Sequence, residues 1–94
     1  MYARITVLSD GADLDRWRQI VAEQIAPSAA DKPGFVRAVW LLDEEAGTGM
    51  SVTLWDSREA LDAAEAGASG NRDKLAAAVG GAMSVLRAEV VAEA

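Results

Sequence analysis

The sequence contains no cysteine and no histidine. The first absence excludes disulfides, thiolate catalysis and cysteine-ligated metal. The second removes the commonest general base and the usual metal or haem ligand. Aromatic residues are few: three tryptophans, one tyrosine and one phenylalanine among 94 residues. Positive charge is short as well, with 9 Lys and Arg against 15 Asp and Glu and a net charge of −6. No Lys/Arg cluster overrides that balance, which argues against DNA, RNA or an acidic membrane surface as a partner. No apolar run reaches membrane-spanning length. The segment MYARITVLSD lacks the basic start, long apolar core and cleavage site of a signal peptide. These absences lead us to expect a soluble, cytoplasmic protein.

What is present suits one domain, residues 1–94, with a modest core. Alanine supplies much of the apolar fraction, so Leu, Ile, Val, Phe and Trp must provide most of the burial. Tyr2 to Leu8 is β-branched and bounded by Ser9-Asp10-Gly11, which predicts a first strand. Asp10 or Asp13 can cap a following helix, whose Leu14, Trp17, Val21 and Ile25 form one apolar stripe. Pro27 and the SAADKPG segment are expected to end it. Phe35 to Asp43 and Met50 to Asp56 read as two strands around EEAGTG, with Gly47 and Gly49 available for positive φ. Ser57 or Asp56 caps a helix carrying Leu61, Ala64 and Ala68, and Glu59 is spaced for a capping box from Asp56. Gly67 and Gly70-Asn71 are expected to interrupt this helix before a second short one, Arg72 to Val79. Ala82 to Val91 reads as a last strand after two glycines, although its Ala, Leu and Glu content also allows a helix. The fold class is therefore α+β, a ferredoxin-like β-α-β-β-α-β order with a four-stranded antiparallel sheet. Helices on one face leave the other bare, and oligomerisation is a usual remedy.

Alternation along the strands sorts side chains onto two faces. Ile5, Val7, Val52 and Leu54 make a uniformly apolar set, expected to lie beneath the helices. The other face carries Tyr2, Arg4, Thr6, Ser51, Thr53 and Trp55, joined by Met83, Val85, Arg87 and Glu89. If Phe35, Val39 and Leu41 share it, Arg37 does too. Such a mixed lining suits a planar, oxygen-bearing ligand, a small aromatic or acid. The candidate ligand-binding residues are Arg4, Thr6, Arg37, Thr53, Trp55 and Arg87. Two readings fit the arginines: recognition of a carboxylate or enolate, or rim groups solvated or paired with Glu89, Glu44 or Asp43. A one-residue slip in register would send any of them to the opposite side. Trp17 reads as core, Trp40 as packing beneath a helix or at a subunit contact, and Trp55 as either cavity wall or plain packing. Asn71 offers an amide that could assist a base, or a helix terminator beside Gly70.

The segment Pro33 to Leu61, PGFVRAVWLLDEEAGTGMSVTLWDSREAL, has a distinctive wording. Pro33-Gly34-Phe35 opens one strand, Leu54-Trp55 closes the next, and Asp56-Ser57-Arg58-Glu59 starts a helix. It resembles the antibiotic biosynthesis monooxygenase superfamily of dimeric α+β barrels. The resemblance implies a homodimer, with the mixed sheet face lining a barrel interior between two sheets. Members of the monooxygenase type oxidise polycyclic phenols or anthrones without metal or flavin. The substrate carbanion supplies the electrons to oxygen, while the protein binds, desolvates and helps deprotonate it. No cofactor and no metal are expected, and the lack of His and Cys is compatible with that chemistry. The haem-degrading branch uses an Asn on the first strand, a Trp in the helix after the third strand and a nearby His. Here the first strand has Arg4 and Thr6 and the helix reads Leu61-Asp62-Ala63-Ala64-Glu65, so haem degradation is not expected. No established catalytic set carries over. Three functions stay open: a cofactor-independent monooxygenase acting on an aromatic or polyketide-like small molecule, a non-catalytic dimeric barrel that binds a small acid or aromatic or stabilises a partner, and a lactone isomerase- or dehydratase-like enzyme with Glu89 as its one acid–base candidate.

Overall fold

A computed structural model describes residues 1–94. Its strands are β1 (Tyr2–Ser9), β2 (Phe35–Asp43), β3 (Thr48–Trp55) and β4 (Ala82–Glu89). They form one sheet in the order β2-β3-β1-β4, with every neighbouring pair antiparallel. The expected α+β, ferredoxin-like order holds. Between β1 and β2 run α1 (Leu14–Ile20), a π-helical turn (Val21–Ile25) and α2 (Ala26–Ala29), and α3 (Arg58–Val79) joins β3 to β4.

Local chemistry explains the element ends. The Asp13 carboxylate accepts from the Arg16 amide at 3.1 Å and starts α1, and the Ser57 hydroxyl accepts from the Ala60 amide at 3.1 Å and starts α3. Gly34 adopts φ +78°, and a Cβ there would lie 2.4 Å from Ala60 Cβ, so the Pro-Gly-Phe opening needs its glycine for both shape and room. Gly34 also accepts from the Asp56 amide at 2.8 Å, which ties the start of β2 to the start of α3.

Three details differ from the expectation. The first helix does not stop at Pro27. The π-helical turn lets α2 begin one residue before the proline, where a missing N–H costs least. Ser28 then donates to the Gln24 and Ile25 carbonyls at 3.3 and 3.2 Å. Second, α3 is a single 22-residue helix through Gly67 and Gly70. Each interior glycine costs about 1 kcal/mol relative to alanine, and flanking alanines plus a Glu65–Arg72 ion pair across both glycines offset it. Third, Gly49 sits within β3, and a Cβ there would meet the Trp17 ring at 3.2 Å. It is a flat seat for an indole and not a turn residue.

The larger correction concerns which face the helices cover. Leu8, Trp17, Val21 and Val79 form the buried cluster, with Trp40, Leu42, Leu75 and Met83 packed against it. Leu8 pairs with Gly49 and Met83 across the two ladders, so the face of Leu8, Thr6 and Arg4 lies under the helices. Ile5, Val7, Val52 and Leu54 are on the bare side, with Val39, Leu41 and Leu86. The crossovers β1-α1-β2 and β3-α3-β4 both join parallel strands, and handedness fixes the side on which such a crossover runs. Which face is more uniformly apolar does not decide it.

Candidate functional site

The mixed face does border a cavity, but one formed within a single chain, between the sheet and its own helices. Its volume is about 170 Å³, and it is open to solvent on one side. A dry cavity of about 150 Å³ holds a benzene, so this space admits an aromatic ring with small substituents. Arg4, Thr6, Thr53 and Trp55 line it from β1 and β3, joined by Trp40 and Ser51. Helix α3 contributes Ala64, Ala68, Asn71, Arg72 and Leu75.

Trp55 is 3 % exposed and held from two directions. Its indole Nε1 donates to Thr53 Oγ1 at 3.0 Å. The Phe35 ring meets it edge-on, with centroids 5.7 Å apart at 86°. Above it lies Arg4, whose guanidinium carbon is 5.6 Å from the ring centroid, a cation–π distance.

Arg4 is 6 % exposed, the one buried charged side chain. It belongs to a cluster of three guanidiniums around one carboxylate. Arg4 Nε lies 3.2 Å from Glu65 Oε2, Arg87 Nη2 lies 2.8 Å from Glu65 Oε1, and Arg72 Nη2 donates to the same Oε1. The β1–β4 register places Arg4 opposite Arg87 and so makes the cluster possible. Arg4 Nε and Nη2, and Glu65 Oε2, have no aligned hydrogen-bond partner. Burial lowers the Arg4 guanidinium pKa, against the opposing pull of Glu65. Burial pushes the Glu65 carboxyl up, but hydrogen bonds from Arg72 and Arg87 and the charge of Arg4 outweigh it. The carboxyl therefore sits below its ordinary value.

Of the residues expected at a site, Arg4, Thr6, Thr53 and Trp55 line this cavity together. Arg87 does not line the cavity and pairs with Glu65 beside it. Arg37 is separated from them. A β-bulge between Phe35 and Arg37 resets the alternation of β2, so Phe35, Ala38 and Trp40 share the covered face while Arg37, Val39 and Leu41 share the bare one. Glu89 pairs with Tyr2 at the sheet end, 3.5 Å from its hydroxyl, and does not line the cavity. Glu65 and Arg72 were not anticipated, because an α3 broken at Gly70 does not hold them on one face. Their i, i+7 spacing, two turns apart, was the available signal. Asn71 sits mid-helix and faces the cavity instead of capping an end. No three Asp or Glu side chains gather as a metal site would need.

No lining residue is an Asp, Glu, His or Tyr. What the arrangement offers is positive charge, hydroxyls at Thr6 and Ser51, an amide at Asn71 and flat aromatic walls. It can bind and polarise a planar oxygenated molecule.

The family model of antibiotic biosynthesis monooxygenase matches residues 1–79. No curated protein matches the sequence. Among solved structures, the monooxygenase from the gene ActVA-Orf6 of Streptomyces coelicolor, in complex with the ligand nanaomycin D, superposes with a TM-score of 0.78 at 11 % identity, over 99 % of this chain and 89 % of that one. A candidate antibiotic biosynthesis monooxygenase from Deinococcus radiodurans gives a TM-score of 0.78 at 22 % identity, over 100 % and 95 %. A variant of SnoaB, a cofactor-independent oxygenase from Streptomyces nogalater, gives 0.78 at 17 % identity, over 98 % and 94 %. At these identities the likeness is one of fold.

Proposed function

The chain belongs to the antibiotic biosynthesis monooxygenase family, and from that membership we propose that it is a cofactor-independent monooxygenase acting on an aromatic or polyketide-like small molecule bound between sheet and helices. The observation that carries this reading is the cavity itself: a space of about 170 Å³ walled by Trp40 and Trp55, with Arg4 and Arg72 at its charged end. Two of the structurally similar proteins, ActVA-Orf6 and SnoaB, are described as an oxygenase or monooxygenase.

The residues present define how such a reaction would run. With no carboxylate, imidazole or phenol in the cavity, the substrate must ionise largely by its own acidity. The guanidiniums of Arg4 and Arg72 favour its anion, and Trp55 and Trp40 exclude water from the ring. The anion then reduces oxygen at carbon. In the overall balance a ring CH₂ activated by a ketone across the ring, as in an anthrone, plus O₂ yields a carbonyl and one water.

The test is incubation with anthrones and hydroquinones under oxygen, following O₂ consumption and product. Turnover that falls at least about tenfold in Arg4→Met supports the proposal. No turnover across the panel overturns it. The missing base also favours a second reading, a non-catalytic dimeric barrel that binds the same kind of ligand. It predicts a ligand-dependent rise in melting temperature with no oxygen consumed.

We further propose that the protein works as a homodimer. Leu41 and Leu86, 49 % and 60 % exposed, sit with Ile5, Val7, Val39, Val52 and Leu54 on the bare sheet face, and a second copy would cover them. Light scattering at micromolar concentration checks this. A monomer would overturn the dimer and leave the cavity intact.

A further inference from the structure

We propose that the anion this cavity takes is a carboxylate on an aromatic ring, and that Arg4 selects for it; this rests on reading the cavity as a small-molecule site. The argument begins with charge. The lining includes Arg4, Arg72 and, on the exposed rim, Lys32, and no acidic residue, in a chain whose net charge is −6. Glu65 alone answers the three guanidiniums around it, which leaves three positive charges against one negative, a local excess of two. A surface rich in acid has gathered its opposite sign in a cavity with room for a ring.

Hydrogen bonding carries the argument further. Arg4 Nε and Nη2 are buried without an aligned acceptor. A desolvated donor left unmatched is costly, and a charged one more so. Glu65 supplies the match only in part: its Oε1 is taken by Arg72 and Arg87, and its Oε2 lies 3.2 Å from Arg4 Nε, which leaves Nη2 without an acceptor. The Arg4 guanidinium carbon lies 5.6 Å from the centroid of Trp55, whose indole is itself held by Thr53. A guanidinium with an unmatched donor is complementary to a charged, planar pair of oxygens. A carboxylate offers them and is charged throughout the neutral range. A phenol or enol offers one oxygen, ionised only in part. The ring oxygen that reacts would then lie among Thr6, Ser51 and Asn71, which line the same cavity and donate or accept without charge.

The test compares 2-naphthoate with 2-naphthamide, equal in shape and different in charge, by calorimetry on the wild-type chain at neutral pH under nitrogen. The acid is expected to bind about tenfold or more tightly than the amide. Arg4→Met should reduce that preference to within about twofold. Arg4→Lys, which keeps the charge and loses the fork, should retain only part of it, and Arg37→Ala should change nothing. Equal affinities in the wild type, no binding of the acid at millimolar concentration, or an acid preference that survives in Arg4→Met would each overturn the proposal. The wild-type comparison needs no variant to fold. Failure here is separable from failure of the oxidation reading: naphthoate binding without any oxygenase activity on anthrones overturns only the latter, and turnover of neutral phenols with no acid preference overturns only the former.

Discussion

The two faces of this sheet differ in a way that runs against the usual intuition. The face of Ile5, Val7, Val39, Leu41, Val52, Leu54 and Leu86 is almost wholly aliphatic and carries no helix. The face of Arg4, Thr6, Ser51 and Thr53 is half polar and lies beneath all three helices. An aliphatic face can be closed by anything flat and greasy, including another copy of itself. A mixed face needs partners chosen residue by residue, and only elements of the same chain, fixed in register, supply them. Glu65 against Arg4 and Trp17 against Gly49 are such choices.

Four measurements would break or sharpen that contrast. The largest effect belongs to the covered face: Trp17→Ala, which removes a buried indole from its glycine seat, should cost about 3–5 kcal/mol in urea unfolding. A loss below about 1 kcal/mol would mean that the helices are only loosely seated. Next comes Glu65→Gln, which leaves three guanidiniums facing one another. Partial exposure of Glu65 discounts the cost to about 2 kcal/mol, whereas Arg4→Met should cost less, since Glu65 keeps Arg72 and Arg87 as partners. The reverse order would show that Glu65 does not hold the cluster together.

The third is pH dependence. The Glu65 carboxyl lies below its ordinary value when folded, so its stabilisation is complete above the ordinary carboxylate range and fades as pH falls through the folded value. Acid titration of stability should therefore be steeper in the wild type than in Glu65→Gln, and parallel curves would refute the assignment. The smallest effect on the fold itself falls on the bare face. Leu41→Arg combined with Leu86→Arg should shift unfolding of the single chain by no more than about 0.5 kcal/mol. Both residues are exposed, and the same pair should convert a dimer to monomers in light scattering. Retention of the dimer would move the interface elsewhere.

The sequence made the elements legible and left their assembly half hidden. Period-two alternation separated Arg4, Thr6, Thr53 and Trp55 from Ile5, Val7, Val52 and Leu54 correctly, because β1 and β3 pair without a break. It could not say which set goes inside, since crossover handedness is not written in composition. Arg37 escaped because its parity depends on a bulge, and nothing in the alternation of PGFVRAVW marks one. Glu65 and Arg72 escaped because glycine's poor helix propensity was weighed alone, without the alanines and the ion pair that carry α3 across it.

Val36, the extra residue in that bulge, has an exposed side chain with little to contribute. Its importance is arithmetical. By adding one to the count, it lets Phe35 brace Trp55 while Trp40 still faces inward five positions later, an odd interval that unbroken pleating would forbid. Removing that single codon would force a choice between the brace and the wall, so the position is constrained in length while remaining almost free in identity.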